Sequence, residues 1–463
     1  MYSVNPQRVF ALKRVMDDPR CVERMNRMLA GMGRGPGSVT LIEDAELPGI
    51  IRERSWVVDT RQGAVDNSAD PDIVFSTFTW PSKEEKAKVL ESQLYKDCLD
   101  AFRLGGGTVS YGGPKNAQAL LGCIDHFHYE RRPEWKPEHV CWSLHDLHSA
   151  WGCLHRCKYC PRGMLYIIML NVEEFIDHCD MLMAEHPWQK VFRYDVEQDS
   201  LPLEPEYGAS RLLVEHYAEL EDKYLILFSK SANVDFLLDL DHKGHTIMLW
   251  TLSSHEVSRR IEPNTGTMEE RIEAARKCQE AGYAVRFKCK PVIPLKGWRE
   301  QTTHMLETLF SRVKPDNISM EVLFFQGGVE EMDRVLGLDT FDDEIVGACK
   351  AAEKNAEDGK WDTAANGPRP FTFEIKREVY RHFLKEAKRL SPETPVTLCA
   401  ETQRMWEACG DLMDWKPWDY VCNCGPHCTP HLRKIETVEG PDAARIAAAV
   451  AAGAIPQETT ANK

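Results

Sequence analysis

The sequence predicts an α/β fold built on a parallel sheet, and two observations carry that. Between about residues 138 and 330, short apolar runs alternate with amphipathic helices, the pattern of βαβ units. The chain has 463 residues and is 43% hydrophobic, enough for a large core and for two or three domains or one barrel with additions. The pattern changes on both sides of the alternating stretch. This divides the chain into a mixed α/β N-terminal region (1–137), a central unit (138–340) and a C-terminal extension with a cysteine-rich segment (341–463).

In the N-terminal region, Pro6–Met32 reads as helical with Asp18-Pro19 as an interruption, and Gly31–Ser38 as a loop. Ser82–Arg103 reads as one helix: Ser82 is its cap and Glu84-Glu85 lie in the first turn. Leu104-Gly105-Gly106-Gly107 ends it as a turn; with no G-K-[ST] after it and no strand before it, it is not a phosphate cradle. The central unit reads as strands at His139–Leu144, Lys190–Tyr194, Tyr224–Ser229, Thr246–Thr251, Ala284–Val292 and Asn317–Phe325. Between them lie helices at Val172–Glu185, Gly208–Leu220, Val234–Asp239, Met268–Ala281 and Gln301–Phe310. In the extension, helices are expected at Asp342–Ala356, Arg377–Leu390, Glu401–Ala408 and within Ala443–Ile455, and strands at Phe371–Ile375 and Pro395–Leu398.

The formal net charge of −15 argues against a broad basic face for nucleic acid. The amino terminus lacks the charged-then-apolar pattern of a signal peptide, and no apolar run is long enough to cross a membrane. A cytoplasmic, reducing location is the expectation, where sixteen cysteines serve metals or chemistry more than disulfides.

The chemistry centres on Trp151-Gly152-Cys153-Leu154-His155-Arg156-Cys157-Lys158-Tyr159-Cys160-Pro161. Three thiolates spaced C-x3-C-x2-C on one loop can reach three irons of a cubane cluster and leave the fourth open to a ligand. The residues alone also allow a zinc site or three buried thiols. The loop follows the first predicted strand, at the carboxyl end of the sheet, where ligands gather in such folds.

The motif, with Tyr159 before its last cysteine, resembles that of radical S-adenosylmethionine (SAM) enzymes. The resemblance implies a partial (β/α)6 TIM-like barrel of radical SAM type with N-terminal and C-terminal additions. It implies a [4Fe-4S] cluster on Cys153, Cys157 and Cys160 that chelates SAM at the open iron. Reductive cleavage of SAM would then yield a 5′-deoxyadenosyl radical that abstracts hydrogen from a substrate, with a flavodoxin or ferredoxin as electron donor.

Further blocks are similar to the spore photoproduct lyase family over roughly residues 138–330. They are Phe228-Ser229-Lys230-Ser231-Ala232-Asn233-Val234-Asp235, Thr251-Leu252-Ser253, Ile261-Glu262-Pro263-Asn264-Thr265 and Lys290-Pro291-Val292-Ile293-Pro294. This resemblance implies that Lys230 and Thr251 lie by SAM, that Asp195 and Glu197 sit where such enzymes meet the SAM amino group, and that Pro291-Val292 is the adenine edge. One departure stands out. The lyase family places a hydrogen-donating cysteine just after the second strand, and Tyr194-Asp195-Val196-Glu197-Gln198-Asp199-Ser200 contains none. Cys289 or Tyr283 is a candidate catalytic hydrogen donor in its stead; the alternatives are a core thiol and a structural tyrosine. His145 and His148, just before the loop, are either SAM or substrate contacts or structural histidines.

A second group, Cys422, Cys424 and Cys428 with Cys399, is expected to hold an auxiliary [4Fe-4S] cluster, with Cys409 as the substitute fourth ligand. Zinc, with His427 or His431, and unligated thiols are the alternatives. Cys141, Cys179, Cys278 and Cys349 read as core residues. The expected function is therefore a radical SAM enzyme with an unidentified substrate, a small molecule or nucleotide rather than duplex DNA. A DNA photoproduct lyase-type repair enzyme and a non-catalytic iron–sulfur or zinc protein are the alternatives.

Overall fold

β-Branched and aromatic runs assemble into two sheets in this computed structural model, which describes residues 2–56, 70–103, 112–160, 162, 165–325, 327–357, 359 and 361–456. In chain order the strands are β1 (Val9–Leu12), β2 (Val39–Ile42), β3 (Asp72–Ser76), β4 (Phe127–Glu130), β5 (Leu144–Leu147), β6 (Ala150–Trp151) and β7 (Leu165–Met169). They continue as β8 (Val191–Tyr194), β9 (Tyr224–Ser229), β10 (Thr246–Thr251), β11 (Ala284–Val292), β12 (Ile318–Val322) and β13 (Val396–Leu398).

The larger sheet runs β13-β12-β11-β10-β9-β8-β5-β4. Every pair is parallel except β4 with β5. An isolated antiparallel bridge between Val140 and Glu401 ties the chain before β5 to the chain after β13. Successive strand residues point to opposite faces, and burial follows that period. Leu225, Leu227, Met248, Trp250, Val285, Phe287 and Cys289 join the main core with the helical residues Leu213, Tyr217, Ile272, Leu306 and Leu309. Val191, Ile226, Ile247, Leu249 and Ala284, on the other face, form a separate small cluster that includes Cys424. This second face is the lumen of a partial barrel.

The second sheet runs β2-β1-β3-β7-β6, parallel except for β6 with β7. Three strands come from the N-terminal region, and the fourth and fifth flank the C-x3-C-x2-C loop. The loop thus connects two neighbouring strands of this second sheet, just after the chain leaves β5 of the larger one.

Several boundaries differ from those expected. Pro6–Met32 is a strand, a 3-10 turn and a helix over Pro19–Gly31. Asp18-Pro19 starts that helix: the Asp18 carboxylate accepts from Arg20 N, and Pro19 occupies the first turn, where no donor is lost. Ser82–Arg103 is two helices, Lys83–Glu91 and Gln93–Ala101, because the Ser92 hydroxyl accepts from Tyr95 N and starts a second helix. Such a cap is worth about 1 kcal/mol. The first barrel strand is Leu144–Leu147, not His139–Leu144. Phe371–Ile375 does not form a strand: Thr372 caps a helix over Phe373–Leu390. The expected turn at Leu104–Gly107 lies outside the described residues. Among the described residues no helix is long and apolar enough to cross a membrane.

Candidate active site

Cys153, Cys157 and Cys160 line one cavity of ≈ 130 Å³ with His155, Tyr159, Arg162, Glu197, Asp199, Ser229, Lys230 and Thr251. The non-loop residues come from the carboxyl ends of β8, β9 and β10, as the parallel topology requires. Gly152 turns the chain into the loop at φ +117°, where a Cβ would lie 2.3 Å from the Leu165 carbonyl oxygen; only glycine passes there.

The loop is clamped by the Ile261–Thr265 segment. Lys158 N donates to the Ile261 carbonyl (2.9 Å), and the Asn264 side-chain amide donates to the Leu154 carbonyl (2.9 Å). His155 Nδ1 bonds the Asn264 carbonyl (2.5 Å), and its Nε2 bonds Asp199 (2.9 Å). Asp199 also accepts from Ser229 Oγ (2.7 Å) and Lys230 N (2.6 Å). Burial would raise its carboxyl, but His155 and these donors hold it below its ordinary value.

Glu262 is the hub of the site. Its carboxylate accepts from Lys230 Nζ (2.6 Å), Ser253 Oγ (2.9 Å), Arg271 (2.7 Å) and the Tyr159 hydroxyl. Lys230 also donates to the Tyr159 oxygen at 2.7 Å. Burial alone would push the Glu262 carboxyl up; the Lys230 and Arg271 cations outweigh it and hold the group well below the usual carboxylate range. Glu197 lines the cavity opposite, with Lys115 Nζ at 2.8 Å and an ion pair to Arg162. Against burial, Arg162, His148 and Lys115 hold its carboxyl down to about 2. The donor set fits the expected group: three soft thiols round one space, with cations and hydroxyls beside it for a carboxylate and ribose.

Cys153, Cys157, Cys160, Tyr159, Glu197, Lys230 and Thr251 are brought together by the fold. The others are not. Asp195 turns inward to pair with the His148 ring and Ser149 N. His145 stacks between Tyr129 and His186, at 4.2 and 4.1 Å between ring centroids. Cys289 faces the helical layer beside Trp298 and Met305, because Lys288 takes the lumen side. Tyr283 precedes β11 at its amino end, stacks on His242 and donates to the Leu237 carbonyl. Neither candidate hydrogen donor lines the cavity. Pro291 and Val292 line the Cys289 space as well. The residues the motifs missed are His155, Asp199, Glu262, Arg162 and Lys115. Glu262 stood inside a quoted block, but its four donors come from separate stretches.

The second thiol group lies at the other end of the barrel. Pro426 accepts from Lys190 N and Val191 N at the start of β8, and Arg286 donates to the Asn423, Cys428 and Thr429 carbonyls. Cys409 stands apart, buried in the core at the end of the helix Gln403–Cys409. His427 Nε2 accepts from Glu439 N, and His431 lies by Asp316.

Comparison with known proteins agrees with this geometry. Residues 145–326 match the family profile described as spore photoproduct lyase. The spore photoproduct lyase of Bacillus subtilis (strain 168) is 29% identical over 185 residues, 38% of this chain and 53% of that protein. The spore photoproduct lyase of Clostridium acetobutylicum is 21% identical over 192 residues, 40% and 57% of the two chains. The chain spans about half the length of the curated relatives it matches. In three dimensions the likeness extends further. A spore photoproduct lyase complexed with dinucleoside spore photoproduct superposes with a TM-score of 0.55 at 14% identity, over 85% of this chain and 98% of that one. A variant of the lyase with bound AdoMet and the same dinucleoside gives 0.54 at 14% identity, over the same shares. The fold is that of the solved lyases, and over its barrel the chain resembles the spore photoproduct lyase family of radical S-adenosylmethionine enzymes.

Proposed function

We propose that this chain is a radical SAM enzyme of the photoproduct-lyase type, acting on a thymine photoproduct of DNA. The observation that carries the reading is the shared cavity: the three thiols of Cys153, Cys157 and Cys160 open on the same space as Lys230, Thr251 and Glu197. A [4Fe-4S] cluster with SAM, when bound there, supplies one-electron cleavage of SAM and a radical that abstracts hydrogen. The chain's own residues bind and orient. Thr251 and Lys230 offer a hydroxyl and an ammonium to the SAM carboxylate and ribose, Glu197 offers a carboxylate to its amino group, and the buried walls keep water from the reacting centre. The electron donor is of flavodoxin or ferredoxin class.

The earlier expectation of an unidentified substrate gives way here. The relatives carry the lyase name, and three of the solved neighbours hold a dinucleoside spore photoproduct. A second reading, a different substrate on the same radical machinery, is favoured by one observation: no cysteine stands in 194–200, and Cys289 faces away from the cavity.

The test is anaerobic. The reconstituted protein is reduced with dithionite and given SAM, and 5′-deoxyadenosine is measured with and without dinucleoside spore photoproduct. Deoxyadenosine together with conversion of the dinucleoside to thymidines supports the lyase. Deoxyadenosine without conversion moves the case to the second reading. None under either condition, with the cluster in place, overturns both.

A further inference from the structure

The barrel has two mouths, and the reaction just proposed uses only the one at the carboxyl ends of the strands. The other, at the amino ends, is closed by Cys422-Asn423-Cys424-Gly425-Pro426-His427-Cys428. This segment is held by the barrel backbone itself. Besides the bonds to Pro426 and from Arg286, the Asn423 side chain bonds Asn317 and Ser319 at the start of β12. Arg286 is in turn fixed by Asp316 at 2.8 Å, with both side chains buried. A loop tied at so many points presents its sulfurs in a set direction.

Cys424 reaches the lumen, and Cys428 and Cys422 adjoin it on the side of the main core. Cys424 packs against Ile226 and Leu249 on the inner face of β9 and β10. Cys422 N donates to Cys428 Sγ at 3.3 Å. A Cβ on Gly425 would lie 2.7 Å from Cys428 Sγ and 3.2 Å from Cys422 Sγ, so the two sulfurs wrap a position where no side chain fits. Cys399 follows β13, with its amide on the Met320 carbonyl, and Cys141 precedes β5, with its carbonyl held by Arg445. Lys288 reaches across the lumen from β11 to 3.8 Å from Cys424 Sγ.

Lys288 has Cys424, Cys399 and Cys141 as charge neighbours, and Cys422 and Cys428 adjoin Cys424; thiols gathered beside a buried cation are an arrangement for a soft, anionic group. Cys422 lies within hydrogen-bond reach of both Cys424 and Cys428. A polynuclear cluster spreads its ligands over several irons, and four thiolates on a [4Fe-4S] core leave a net negative charge that a buried ammonium offsets.

We propose that the amino-end mouth of the barrel binds a second [4Fe-4S] cluster through Cys399, Cys422, Cys424 and Cys428, with Lys288 as its charge partner and Cys141 as an unligated neighbour. Each ligand thiol releases its proton on binding, and sulfide and iron are supplied from solution, the iron as the ferric ion with a thiol reductant that brings part of it to the ferrous state. The inference does not depend on the substrate of the upper site.

The test is anaerobic reconstitution of the full chain with ferric iron, sulfide and dithiothreitol as reductant, reading iron, acid-labile sulfide and zinc per chain. About eight irons are expected in the native chain and about four in a Cys153→Ala/Cys157→Ala/Cys160→Ala variant. Adding Cys422→Ser and Cys428→Ser to that variant removes the remainder, whereas adding Cys141→Ala leaves it. A folded triple variant with no iron and sulfide overturns the proposal, as does about one zinc per chain without sulfide. If the triple variant fails to fold, Cys422→Ser/Cys428→Ser in the otherwise native chain decides. A fall from about eight irons to about four supports the second cluster, and a count of about four in both proteins refutes it.

Discussion

Lys230 Nζ lies 2.6 Å from the carboxylate of Glu262, which Arg271 approaches from the other side at 2.7 Å. The three residues come from the position just after β9, the Ile261–Thr265 clamp and the helix Met268–Glu280. The pair therefore couples the cluster loop, through Tyr159, to the barrel wall.

Removing the carboxylate leaves two buried cations facing each other. Glu262→Ala is expected to cost about 3–5 kcal/mol of stability, the range for breaking a buried pair. Urea unfolding at pH 7 measures it, and a change below about 1 kcal/mol would show that the network is dispensable.

Lys230→Met keeps the length of the side chain and removes its charge. SAM binding is expected to weaken at least about tenfold, equivalent to about 1.4 kcal/mol. Equilibrium dialysis on the anaerobic holoprotein reads it. Unchanged affinity would mean that Lys230 serves only Glu262.

Gly152→Ala retains all three loop cysteines. The added Cβ meets the Leu165 carbonyl at 2.3 Å in a left-handed backbone, so the loop must shift. Strain of this kind costs about 1–3 kcal/mol, and iron occupancy of the upper site is expected to fall sharply although every thiol remains. Normal iron content would refute the tight-passage argument.

Cys289→Ala and Tyr283→Phe are expected to leave conversion of dinucleoside spore photoproduct to thymidines within about twofold, about 0.4 kcal/mol on the barrier. Both groups lie away from the cavity. A large loss in either variant would return that residue to the list of hydrogen donors.

Burial, and then the neighbouring His186, hold His145 down to about 4, and burial with His178 does the same for His126. Between pH 6.5 and about 4 the unfolded chain binds more protons than the folded one. Stability is therefore full above about pH 6.5 and falls as pH drops toward 4. His145→Phe keeps the stack on Tyr129 and should flatten that slope. Identical pH profiles for the two proteins would contradict it.

Residue type and period alone determined much of this protein. Tyr224–Ser229, Thr246–Thr251, Ala284–Val292 and Val172–Glu185 were legible to the residue, because a buried parallel strand and an amphipathic helix write their periodicity locally. The C-x3-C-x2-C loop was legible for the same reason: its ligands lie within eight residues. Only the tertiary structure decided the rest. Which face of β11 holds Cys289 and which Lys288 depends on what packs against each side. That β7 leaves the barrel to join the N-terminal sheet is a pairing between strands about ninety residues apart. Glu262 meets Lys230 across 32 residues of chain, Asp199 meets Lys230 N across 31, Lys115 meets Glu197 across 82 and Cys424 meets Lys288 across 136. No local pattern encodes such contacts, since they arise from barrel packing rather than from the propensities of a single segment.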